Sequence, residues 1–116
     1  MSQGILRLRR DGGEPERYEA QIDTWDNPDG GAFYEIYFSG AGEEGMFSGS
    51  CQLERVGKWK YEGIGRWRDE NLGDFYNSSV KAELKLVGKL LVLEGHWFDH
   101  DDLPGPYDLY IEIENR

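Results

Sequence analysis

Apolar and polar residues alternate along most of this chain. Leu6 and Leu8 stand against Arg7 and Arg9, and Tyr18, Ala20, Ile22 and Thr24 against Glu19, Gln21 and Asp23. Tyr34, Ile36 and Phe38 continue the pattern, followed by Phe47, Gly49, Cys51 and Leu53. Trp59, Tyr61, Gly63, Gly65 and Trp67 keep a strict period of two, as do Val80, Ala82, Leu84 and Leu86. Leu91, Leu93, Gly95 and Trp97, then Tyr107, Leu109, Ile111 and Ile113, complete the series. Such alternation predicts about eight strands, each with one buried and one wet face, which is the habit of antiparallel sheets.

The breaks fall on turn-forming residues: Asp11 to Pro15, Asp26 to Gly31, Ser39 to Gly45, Val56-Gly57-Lys58 and Gly88. The longest irregular connection, Arg68 to Asn77, holds Leu72, Phe75 and Tyr76 and has room for a short helix. Most connections are too short for helical crossovers, so sequential strands should pair as hairpins. The expectation is a single all-β domain over residues 1–116, an antiparallel meander closed or nearly closed into a small barrel. A two-layer β-sandwich is the alternative. The core should take Tyr34, Cys51, Trp59, Trp67, Leu84, Leu93, Trp97 and Ile111.

Three glycines sharpen this picture. Phe47-Ser48-Gly49, Tyr61-Glu62-Gly63 and Leu93-Glu94-Gly95 each place a glycine two positions after a large inward residue. Glycine on a concave face lets a strand coil and leaves room for a neighbouring ring. With these residues the chain resembles the small up-and-down barrels of the calycin group, the lipocalin-like and streptavidin-like proteins. The resemblance covers residues 32–114 and implies a fold, without bringing a ligand or site residue.

Composition agrees, with 16 Gly, 4 Trp, 7 Tyr and 5 Phe in 116 residues, the residues that twisted sheets and turns consume. Charge narrows the partners. The formal net charge of −10 disfavours nucleic-acid phosphates and anionic membranes and favours basic partners. It is also uneven: residues 11–54 hold eleven acids against Arg17, whereas Arg55, Lys58, Lys60, Arg66 and Arg68 oppose only Glu62. A lone cysteine, Cys51, and a Met1–Arg10 segment without an apolar stretch point to the cytoplasm.

Candidate chemistry concentrates in His96-Trp97-Phe98-Asp99-His100-Asp101-Asp102, which holds both histidines and three carboxylates. Imidazole and carboxylate can bind a divalent cation or form an acid–base pair. On an extended strand, however, His96 and His100 lie roughly 13 Å apart, too far to chelate one ion without a bend. A solvated turn is the competing reading. Asp26 to Gly31 lacks the ligand spacing and closing Glu of a calcium loop, and Cys51 shares the inward parity of Phe47 and Leu53, which favours an inert thiol. Lys60, Arg66 and Arg68 oppose the parity of Trp59, Tyr61 and Trp67, so rings and cations do not share a nucleic-acid-binding face.

The sequence therefore points to a non-enzymatic binding protein without a cofactor. The leading expectation is an inhibitor or immunity-type antagonist that sets an acidic face against a basic protein, such as a nucleic-acid binder. Its contacts would be Asp26, Asp29, Glu43, Glu44, Asp99, Asp101, Asp102 and Asp108, in turns, with Phe98 and Tyr110 as anchors. A small-molecule-binding barrel with an interior pocket of Tyr34, Trp59, Tyr61, Trp67 and Trp97 is the alternative. A small metal-assisted hydrolase built on His96 and His100 comes third.

Overall fold

The computed structural model describes residues 2–9, 13–26, 32–42, 45–69, 75–99 and 106–113. Eight strands follow one another: β1 (Ser2–Arg9), β2 (Glu16–Asp26), β3 (Ala32–Gly42), β4 (Gly45–Arg55), β5 (Lys60–Asp69), β6 (Phe75–Val87), β7 (Leu90–Asp99) and β8 (Tyr107–Ile113). Each pairs antiparallel with its successor, and β8 returns to β1, closing the barrel. The barrel, and not the sandwich, is the fold. Followed once around the barrel, the register returns about ten residues displaced along its starting strand, a stagger that goes with strands tilted by roughly 35–45°.

The alternation dictates the core. Leu6, Tyr18, Ile22, Ile36, Cys51, Leu53, Val80, Leu93, Trp97, Leu109 and Ile111 are all buried in one cluster. Leu84 and Trp67 pack against it half-buried. Trp97 lies across the barrel beneath Gly65: a Cβ on that glycine would stand 2.5 Å from the indole. Phe38 lies over Gly49 in the same way, at 2.5 Å, and meets Trp97 edge-on at 5.7 Å. At Gly63 and Gly95 a Cβ would instead strike the backbone carbonyl of Gln52 or Lys81, so these glycines let adjacent strands coil closely together.

Three expectations need correction. Trp59 does not face the core but is 56% exposed, because β5 begins only at Lys60 and the pleat does not reach it. The connection from Arg68 to Asn77 is shorter than its composition suggests: β5 runs to Asp69 and β6 starts at Phe75. The Ser39–Gly45 turn is likewise consumed by β3 and β4, down to the pair Gly42 and Gly45. The Gly88 hairpin stands as read, with φ 63°, a left-handed value that glycine adopts without strain.

Candidate functional site

The structured polar centre of the molecule lies at the end of the barrel where β5 and β7 finish and β6 and β8 begin. Asp99 continues the inward parity of Gly95 and Trp97, so its carboxylate points into the barrel mouth and not towards an outer face. There Oδ1 accepts three hydrogen bonds: from Trp67 Nε1 at 2.8 Å, Ser78 Oγ at 2.6 Å and Trp97 Nε1 at 3.0 Å. One carboxylate oxygen thereby ties β5, β6 and β7 together. Ser78 is 1% exposed, and buried indole N–H and hydroxyl groups need such an acceptor. The second oxygen, Oδ2, is buried and has no hydrogen-bond partner among the described residues.

Further aromatic rings gather on Trp67, one of the donors to this carboxylate. Tyr76 stacks on Trp67 at 4.5 Å, and Phe47 packs against the other side of Trp67 at 5.8 Å. Tyr107, opposite Trp97 in the β7–β8 ladder, is half-buried with Phe47, Trp67 and Leu8 against the core. On β2, the Tyr18 hydroxyl donates to Glu16 Oε2 at 2.6 Å. Burial, and then the Glu16 carboxylate, raise the Tyr18 hydroxyl above the ordinary tyrosine range. The mouth thus combines half-exposed rings, a fully buried Trp97 beneath them and an acceptor oxygen with unused capacity.

The residues singled out from sequence are dispersed. Asp99 is part of the mouth, but as an inward strand residue, which corrects its assignment to an acidic turn. Asp108 is also a strand residue; it lies on the outer face, 2.9 Å from Arg9 and 3.6 Å from His96 Nε2. Phe98 is outward and 37% exposed, beside His96 at 5.9 Å. Tyr110 is outward too, with Arg7 over its ring at 5.4 Å and its hydroxyl donating to Glu112 at 3.2 Å. Partial burial and Glu112 raise the Tyr110 hydroxyl. Asp26 ends β2, at the far end of the barrel from Asp99. Asp29, Glu43, Glu44, His100, Asp101 and Asp102 lie outside the described residues.

Of the proposed interior pocket, Tyr34, Tyr61 and Trp97 are core residues, Tyr34 meeting Tyr61 edge-on at 5.2 Å. They are packed in the core cluster, Trp59 is exposed, and the indoles of Trp67 and Trp97 reach the mouth at Asp99. Among the described residues no group of three or more His, Cys, Asp or Glu side chains could hold a metal ion. Cys51 is fully buried, and burial pushes its thiol up to about 12. The parity argument about rings and cations also changes: Phe75, from the connection, faces outward with Arg66 at 4.3 Å and Arg68 at 5.2 Å over its ring.

Sequence reasoning passed over Ser78, Tyr76, Phe47 and Tyr107 as site residues. A signal was present: Asp99 extends Trp97's alternation, and Ser78 and Tyr76 extend that of Val80 backwards. No protein-family model and no curated protein matches this chain. Among solved structures it is similar to a redesigned beta barrel, with a TM-score of 0.60 and 13% identity over 98% of this chain and 89% of that one. At that identity the likeness is one of fold.

Proposed function

We propose that this protein is a non-enzymatic binder that takes an organic cation, such as a protonated amine or guanidinium, at the barrel mouth around Asp99. The observation that carries this reading is the buried Oδ2 of Asp99, which has no hydrogen-bond partner among the described residues, on a carboxylate held by the Trp67 indole, whose ring packs with Phe47 and Tyr76. An unused carboxylate oxygen is costly to bury and accepts strongly from an N–H donor. Aromatic faces attract the same cation through their quadrupoles. Charge adds long-range steering: the connections at this end, residues 10–15, 43–44, 70–74 and 100–106, contain eight carboxylates against Arg10.

The cation has two natural sources, a free amine or a Lys or Arg side chain on a basic protein. The chemistry is shared, so this reading includes the antagonist role that the net charge suggests. A calycin-like use of the barrel, with ligand held at an open end above the packed core, fits the same site.

The test is titration followed by Trp emission, with benzylamine, neutral benzyl alcohol and a Lys- and Arg-rich peptide as probes. Benzylamine or the peptide should bind saturably, more weakly as salt rises, while the alcohol should not. Asp99→Asn, which keeps a carbonyl acceptor for the indoles, should weaken cation binding by about ten- to a hundredfold. Equal binding of amine and alcohol, or an unchanged affinity in Asp99→Asn, would refute the reading. The peptide and amine arms separate a protein partner from a metabolite.

A further inference from the structure

The opposite end of the barrel carries a second surface of different character. β6 continues to Val87 beyond Glu83, its last ladder partner on β5, so the β6–β7 hairpin projects past its β5 neighbour. Leu86 is 71% exposed and Val87 53%, and Leu90 stands exposed across the turn. Beside this hairpin is the β4–β5 turn, held to it by the Leu84 N–H donating to the Trp59 carbonyl at 2.8 Å. It adds Trp59 and Val56, both more than half exposed. Five large apolar side chains therefore stand in solvent on two adjoining turns, more than the single exposed residues of an ordinary surface.

The charge of this tip opposes that of the molecule. Residues 55–60 and 84–91 contain Arg55, Lys58, Lys60, Lys85 and Lys89 and no carboxylate, in a chain of net charge −10. Glu94 lies 3.6 Å from Lys85, Glu83 sits across the ladder from Lys60, and Arg55 bonds the Gly57 carbonyl at 3.0 Å. Lys58 and Lys89 lie on the turns themselves.

We propose that this tip docks on an anionic lipid bilayer surface. A convex pair of turns ending in Leu, Val and Trp can enter the headgroup region, where an indole prefers to reside. Lysines at its rim then meet anionic headgroups. The overall negative charge repels such a surface only as an average; it also turns the carboxylate-rich end outward, which fixes the orientation. A second copy of this chain is a poorer occupant, because the same cations would face one another.

The experiment uses the full chain with vesicles of phosphatidylcholine alone, or of equal parts phosphatidylcholine and phosphatidylglycerol. Co-sedimentation at low ionic strength should be about tenfold or more greater on the anionic vesicles, with a blue shift of Trp emission that Trp59→Phe removes. Leu86→Thr/Val87→Thr and Lys58→Glu/Lys89→Glu should each abolish binding while leaving the near-ultraviolet dichroism of the barrel unchanged. No sedimentation with either vesicle, equal sedimentation with both, or binding retained in these variants would overturn the proposal. So would a concentration-dependent dimer that Leu86→Thr/Val87→Thr dissolves, which would show a second copy covering the tip.

Discussion

At the end of the barrel where β7 finishes, polar atoms turn inward and are tied together by one carboxylate oxygen. At the end where β6 turns into β7, apolar side chains stand in solvent between lysines. Both ends arise from the same alternation, and the difference lies in what flanks each strand. Asp99 still has a ladder partner, Ser78 on β6, so the pleat directs its side chain among Trp67, Ser78 and Trp97. Leu86 has Leu91 on one side and no ladder partner on β5, so its inward parity leads to no interior. Parity assigns a residue to the core only while neighbouring strands supply a core to enter.

The sharpest way to break this comparison is Asp99→Ala. It leaves the two indole N–H groups and the Ser78 hydroxyl, all of which donate to Asp99 Oδ1, without their acceptor. Leaving buried donors unsatisfied costs about 1–3 kcal/mol each when water cannot reach them, and the half-exposed Trp67 recovers part of that. A net loss of about 2–4 kcal/mol in urea unfolding is expected. A loss within 0.5 kcal/mol would mean that the carboxylate does not hold the mouth together.

A smaller change sharpens the same point. Trp67→Phe keeps an aromatic ring between Phe47 and Tyr76 but removes one donor to Asp99. The expected cost is about 1 kcal/mol, because Ser78 and Trp97 still donate to the same oxygen. Comparing its urea midpoint with that of Asp99→Ala separates ring packing from the hydrogen bond. A cost as large as that of Asp99→Ala would place the energy in the stacked rings instead.

Much of the fold is legible in the chain because burial on one face forces period two, and inward glycines mark where rings and strands close up. Cys51, Trp97 and Ile111 enter the core as their parity requires, and Gly65 and Gly49 accommodate Trp97 and Phe38. The exceptions are also physical. Trp59 matches the period of Tyr61 but lies before the first ladder pair of β5. Asp99 reads as the start of an acidic loop because carboxylates usually face water, and only the two indoles and the hydroxyl gathered from β5, β6 and β7 make an inward carboxylate tolerable. Those partners are distant in sequence, so a local reading registers the charge and misses the acceptor.

The smallest expected effect belongs to the tip. Leu86→Thr replaces a side chain that is 71% exposed with a β-branched one suited to a strand. Removing it from water contributes little to folding, so stability should stay within about 0.5 kcal/mol of the parent in urea unfolding. A loss beyond 1 kcal/mol would show that Leu86 packs as its parity suggests and that the hairpin is an extension of the core. The two ends would then differ only in polarity, and the rule that parity fails beyond the last ladder partner would fall with that result.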